Sequence, residues 1–222
     1  MRSLFDGHLP AAVIYDLDGT LVDSVPDLHR AVQAFQQQLG LPLSTETQVR
    51  DWVGNGAAKL VERALKATAG DAAEAIFDDA MGRFLKSYQA TNGERARLYP
   101  GVFECLQTLA EQGVAQALVT NKPIAFTLPL LETLGIAEFF DPVLGGDSLP
   151  DKKPHPAPLL AVAEQLRLAP EQCLMVGDSV NDLLAARAAG MPIACVSYGY
   201  NHGEPIAASG PDLLVDSLAK LL

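Results

Sequence analysis

Cysteine is scarce in this chain: Cys105, Cys173 and Cys195 are the only three. They are odd in number, widely spaced and include no C-x-x-C pair, which excludes a disulfide framework and a cysteine zinc site. All three are expected as reduced core residues. Basic residues are outnumbered, 16 Lys and Arg against 27 Asp and Glu, for a net charge of −11. With no Lys/Arg cluster to offset that balance, nucleic acid and anionic membrane surfaces are excluded as partners. Aromatics make up 6% with a single Trp, so Trp52 and the phenylalanines are expected in the core rather than as stacking surfaces. The 4 histidines are scattered and form no ligand pattern. No run approaches the roughly 18 apolar residues of a membrane span. Met1 to Pro10 holds no apolar stretch of leader length, and the expected location is the cytoplasm.

What is present is a large apolar fraction, 49% of 222 residues, ample for one sizeable domain or a domain with an insert. The run Ala11 to Tyr15 reads as a buried central strand of a parallel sheet, and it stops at Asp16-Leu17-Asp18-Gly19-Thr20. Ligands in open α/β sheets sit beyond the carboxyl ends of such strands, so the two acids stand at the mouth of a cleft. Unit charges 4 Å apart repel by roughly 4 kcal/mol at an effective dielectric near 20. That cost points to a cation between them.

After Thr20 the pattern turns helical. Leu28, Val32, Phe35 and Leu39 share a helical stripe, with Ser24 as cap and Gly40 and Pro42 at the end. Thr45 and Gln48 have capping-box spacing for a short helix through Trp52. Gly54-Asn55-Gly56 breaks it, Leu60 to Leu65 mark another helix, and a fourth is expected from about Asp71 to Gln89. From Ser24 to about Arg97 no strand is expected. Beyond Tyr99-Pro100-Gly101 strands and helices alternate: strands at 115–119, 142–144, 173–176 and 193–196, a short strand in the tail, and among the helices one that ends near Gly135 with Pro129 close to its first turn. The expected organisation is a parallel-sheet α/β core, residues 1–22 and 97–222, interrupted by an all-helical cap at 23–96, with hinges at the two crossings.

Three apolar runs end in polar sets: Asp16 with Asp18, Thr120 with Asn121, and Asp178 with Asp182. If the strands are parallel neighbours, all three meet at one sheet edge. Any one alone would pass for a helix cap. Together the motifs closely resemble those of the haloacid dehalogenase superfamily of phosphatases: DxDGT at Asp16 to Thr20, a strand-end Thr120, Lys153 before a proline, and GDSxxD at Gly177 to Asp182. Within it, Asp51-Trp52-Val53-Gly54-Asn55-Gly56, Thr120-Asn121-Lys122-Pro123, Lys152-Lys153-Pro154-His155-Pro156 and Tyr198 to Gly203 are similar to segments of the phosphoglycolate phosphatase subfamily.

The resemblance implies a Rossmann-like core with a helical cap, and Mg²⁺-dependent hydrolysis of a small phosphorylated metabolite, 2-phosphoglycolate being the expected substrate. It assigns Asp16 as nucleophile and Asp18 as the acid and base, a role that requires Asp18 to carry a proton in the substrate complex. It gives Asp16, the Asp18 carbonyl and Asp178 as ligands of Mg²⁺, an ion that favours hard oxygen donors. Asp182 is implied as a support for a metal-bound water or for Lys153. Thr120, Asn121 and Lys153 hold the phosphoryl group, with Lys153 preferred over Lys152 because it directly precedes Pro154. Gly54 and Asn55 form a cap loop that closes over the substrate. His155, His202, Lys59 and Lys66 are expected to be ordinary loop or helix-surface residues. The alternatives are a phosphosugar mutase, a phosphosugar or sugar-acid phosphatase, a phosphonate hydrolase with a cap lysine and, from another class, a stoichiometric phosphoacceptor signalling module.

Overall fold

A computed structural model describes residues 1–222. Its strands are β1 (Ala12–Tyr15), β2 (Val22–Asp23), β3 (Arg97–Leu98), β4 (Ala115–Val119), β5 (Val143–Leu144), β6 (Cys173–Gly177), β7 (Ile193–Val196) and β8 (Leu213–Val215). The helices are α1 (Val25–Gln38), α2 (Glu46–Trp52), α3 (Ala57–Ala69), α4 (Phe77–Thr91), α5 (Val102–Glu111), α6 (Ile124–Thr133), α7 (Ala157–Leu166) and α8 (Val180–Ala189). Six strands form one parallel sheet in the order β5-β4-β1-β6-β7-β8. β1 is central because Ala12–Tyr15 is buried at every position, so both faces need cover. Alternation divides that burial. Val13 and Tyr15 join one apolar layer with Leu106 and Leu118, while Ala12 and Ile14 join the other with Val162 and Met175.

The four helices between β2 and β3 pack on one another around Phe35, Val61, Leu65 and Phe84 as a third apolar cluster. Tyr200, from the loop after β7, belongs to that cluster although the sheet carries it. The connections into and out of this helical unit pair as a short antiparallel ribbon, Val22 with Leu98 and Asp23 with Arg97. Two-residue strands leave no periodicity to read, so the sequence pattern did not anticipate them. Asp27 of α1 clamps the return: its carboxylate accepts from the N–H groups of Gly93 at 3.0 Å, Arg95 at 2.9 Å and Ala96 at 3.0 Å.

Three local expectations change. The fourth helix starts at Phe77 rather than Asp71, after a 3₁₀ turn at Gly70–Ala72, because no side chain caps the Ala-rich stretch. Ser24 occupies the N-cap of α1 without a cap bond from its hydroxyl, and its N–H donates to the Tyr200 hydroxyl at 3.1 Å. Pro129 lies inside α6 rather than in its first turn. The capping box of α2 forms as read, Gln48 N–H to Thr45 Oγ1 at 3.2 Å and Thr45 N–H to Gln48 Oε1 at 2.9 Å. No helix is long and apolar enough to cross a membrane.

Candidate active site

The register of the sheet builds the site. Tyr15 lies opposite Leu118 on β4 and Val176 on β6, so the residues that follow, Asp16, Thr120 and Asp178, emerge at one edge. All three are buried. Lys153, reached through the loop after β5, is only 2% exposed and brings its ammonium to 2.9 Å from Asp16 Oδ1 and 2.7 Å from Asp182 Oδ1. It also donates to the Val119 carbonyl at 2.6 Å. Lys152 is exposed and points elsewhere. Asp182, fully buried one turn into α8, is committed to internal bonds: its Oδ2 accepts from Ser179 Oγ at 2.7 Å and from the N–H groups of Ser179 and Asp178. It therefore aims Lys153 rather than meeting a ligand.

Carboxylate oxygens of Asp16, Asp178 and Asp182 lie within 4.8 Å of one another, with Lys153 as the only cation among them. Burial first, then repulsion from Asp182 and only partly offset by Lys153, pushes the Asp16 carboxyl up to about 6. Burial, Asp182 and Asp16 push Asp178 well above the carboxylate range. The contact with Lys153 is at ion-pair distance but off hydrogen-bond direction, so Asp16 Oδ1 is buried without a donor. Asp178 is tightly cradled: it accepts from Thr20 Oγ1 at 2.7 Å and Tyr200 N–H at 2.5 Å. A Cβ on Gly199 would fall 2.2 Å from Asp178 Cβ, and one on Gly19 2.3 Å from its Oδ2. An excess of hard, dehydrated oxygen donors with one orphaned oxygen fits a small divalent cation.

Asp18 stands apart from the other carboxylates. Its oxygens lie 3.2 and 3.4 Å from the Lys122 ammonium, so its nearest charged neighbour is a cation. Lys122 also donates to the hydroxyl of Tyr88 on α4, and its ammonium lies 4.7 Å from the centre of that ring. Burial works against the Lys122 charge, but Asp18 and then Tyr88 outweigh it and the lysine is raised. These groups line a cavity of about 40 Å³ with Asp16 at one end and Leu28, Leu60, Phe84 and Phe126 around the other. Sequence reasoning assigned no role to Lys122 or Tyr88. Lys122 enters only as part of the Thr120-Asn121-Lys122-Pro123 segment, and Tyr88 shares a stripe of the fourth helix with Ile76, Ala80 and Phe84.

The loop after α2 meets the sheet through its main chain. The Gly54 carbonyl accepts from Asn121 Nδ2 at 3.0 Å and Asn181 Nδ2 at 3.2 Å, the Asn55 carbonyl from Lys152 Nζ at 3.1 Å, and the Asp51 carbonyl pairs with His202 Nδ1 at 2.9 Å. Gly54 lines the cavity. The Asn55 side chain does not reach it: its Oδ1 accepts from Arg63 at 2.7 Å. Asn121 lines the cavity and also donates to the Lys153 carbonyl at 2.9 Å, fixing the lysine loop. Lys59 and Lys66 are exposed and paired with Glu62, as expected.

Two acids of the first strand end and Lys122 thus line one cavity, with Asp178, Asp182 and Lys153 clustered about Asp16 behind it, an arrangement of the kind hydrolases use. Residues 10–190 match the model of the haloacid dehalogenase-like hydrolases, and the chain belongs to that family. It is 50% identical over 213 residues, 96% of this chain and 95% of the other, to a phosphoglycolate phosphatase of Nitrosococcus oceani. A crystal structure described as a predicted phosphoglycolate phosphatase from Haemophilus somnus superposes with a TM-score of 0.92 at 40% identity, covering 95% of this chain and 96% of that one. CbbY from Rhodobacter sphaeroides, solved in complex with phosphate, matches with a TM-score of 0.81 at 26% identity over 96% of each chain. The activity of the chain is that of a phosphatase.

Proposed function

We infer that the protein is a Mg²⁺-dependent phosphomonoesterase that works through a phosphoaspartate on Asp16, with 2-phosphoglycolate as substrate and glycolate and phosphate as products. The observation that carries this reading is the Asp16 carboxylate, buried at the end of β1 with Lys153 2.9 Å from its Oδ1 and lining a small cavity beside Asp18. An anionic oxygen is a competent nucleophile at neutral pH without a separate base. Asp16 attacks phosphorus and the bond to the leaving oxygen breaks, with Asp18 giving that oxygen a proton. Asp18 then takes a proton from water, whose oxygen attacks phosphorus and restores the Asp16 carboxylate. Lys153 and Thr120 hold phosphoryl oxygens throughout, Lys153 being aimed by Asp182. Asp16, Asp178 and the Asp18 carbonyl would hold Mg²⁺, which neutralises charge between nucleophile and phosphate.

Residues 23–96 act as a cap that excludes water from the phosphoaspartate. The 50% identity to a phosphoglycolate phosphatase over 96% of this chain supports a two-carbon acid as leaving group over a sugar, the substrate of the mutase and sugar-phosphatase alternatives. The test is phosphate release from 2-phosphoglycolate, sugar phosphates, sugar-acid phosphates and aryl phosphates, with wild type and Asp16→Asn. The expected result is highest kcat/KM for 2-phosphoglycolate and a loss of about 10⁴-fold or more in the variant at unchanged melting temperature. Near-normal turnover by Asp16→Asn would remove the nucleophile, and release of no more than one equivalent per chain would favour the phosphoacceptor module.

A further inference from the structure

The cavity holds one basic side chain, Lys122, whose three N–H groups are unequally held. Lys122 is almost fully buried, its side chain 3% exposed. Lysine is rarely found so deep unless paired. An ammonium carries three N–H donors; the Tyr88 hydroxyl takes one, Asp18 Oδ1 takes another at 3.2 Å, and the third is held only by the long 3.4 Å contact to Asp18 Oδ2. The Tyr88 oxygen accepts from Lys122, which leaves its own proton free, and burial pushes that phenol up to about 12, so the proton stays in place at neutral pH. One weakly held N–H from the sheet side and one unspent O–H from α4 thus stand together beside Asp18. The wall around them is apolar, with Leu28, Phe84 and Phe126 offering nothing to an anion. Against that apolar side of the cavity an unpaired carboxylate costs several kcal/mol, and these two donors are the side-chain groups there that can meet one.

We propose that Lys122 and Tyr88 form the subsite that selects substrates bearing a carboxylate on the leaving group, with one carboxylate oxygen taken by each. The inference rests on the phosphomonoesterase reading and deepens it by naming the residues that distinguish its substrate. Because Tyr88 sits on α4 and Lys122 follows β4, a carboxylate bridging them also ties the cap to the core.

The experiment compares kcat/KM for 2-phosphoglycolate with that for 2-hydroxyethyl phosphate, an analogue of the same length whose leaving group is uncharged, in wild type, Tyr88→Phe and Lys122→Met. Wild type is expected to favour the carboxylate by 100-fold or more, since a site with buried donors rejects the analogue that leaves them unpaired. That preference ratio should fall about 10-fold in Tyr88→Phe and to near unity in Lys122→Met, whatever the loss in absolute rate from disturbing Asp18. Competitive inhibition by glycolate should weaken in parallel. A wild-type preference that survives within 3-fold in Tyr88→Phe overturns this subsite and leaves the proposed substrate standing; that variant keeps the shape of the ring and serves even if Lys122→Met does not fold. A wild type with no preference for the carboxylate overturns both.

Discussion

Replacing Asp27 by alanine measures how firmly the helical unit is fastened to the sheet. Asp27 is fully buried, and its two oxygens accept from three main-chain N–H groups on the return connection: Gly93, Arg95 and Ala96. A hydrogen bond to a charged acceptor contributes about 1.5–3 kcal/mol, so three give a ceiling of about 4.5–9 kcal/mol. Gly93 is half-buried and Arg95 exposed, so water recovers part of that when the carboxylate is removed. The expected loss is about 3–5 kcal/mol, which for a chain of this length lowers the melting temperature by about 6–20 °C. Asp27→Asn keeps one acceptor oxygen but loses the charge and the 2.9 Å bond from Arg95, and is expected to cost about 1.5–3 kcal/mol. Urea unfolding followed by circular dichroism, with calorimetry in parallel, reads both variants. An alanine variant within about 1 kcal/mol of wild type, or an asparagine as damaging as the alanine, would refute the clamp.

Two further outcomes follow from the acidic cluster. Gly199→Ala places a methyl 2.2 Å from Asp178 Cβ and should shift that carboxylate, lowering kcat/KM about 100-fold and raising the Mg²⁺ concentration for half activity; unchanged Mg²⁺ titration would show that Asp178 tolerates the shift. In EDTA the folded protein should lose stability as pH rises from about 4 to 6. The folded Asp16 carboxyl, raised to about 6, and Asp178, raised well above the carboxylate range, hold protons that the unfolded chain has already released, so folding becomes costlier as pH climbs from the ordinary carboxylate value toward their folded values. Added Mg²⁺ should flatten that slope and restore phosphate release, and a slope identical with and without metal would disconnect the cluster from the ion.

What was legible in the sequence was whatever leaves a local pattern. Ala12–Tyr15, Ala115–Val119 and Cys173–Gly177 are apolar runs cut off by polar residues, and parallel pairing necessarily gathers Asp16, Thr120 and Asp178 at one edge. The preference for Lys153 over Lys152 drew on resemblance, since two adjacent lysines offer no local distinction. Residues that act through distant partners stayed silent. Asp27 reads as a first-turn acid suited to a helix dipole, yet its bonds run to positions 66 to 69 residues away. Lys122 and Tyr88 gain meaning only once α4 lies over β4. Asn55 reads as a loop residue free to touch substrate, and the nearby Arg63 on α3 draws its side chain away.

The loop at 51–55 is gripped by its carbonyls: Asn121, Asn181, Lys152 and His202 all reach for main-chain oxygens and ask nothing of the side chains attached there. Shutting the chamber is thereby uncoupled from what the loop displays. Val53 is held by the cap core and Gly54 by its left-handed backbone, but at the exposed Asp51 and the half-buried Asn55 the side chain can change while the clasp that seals the lid stays the same.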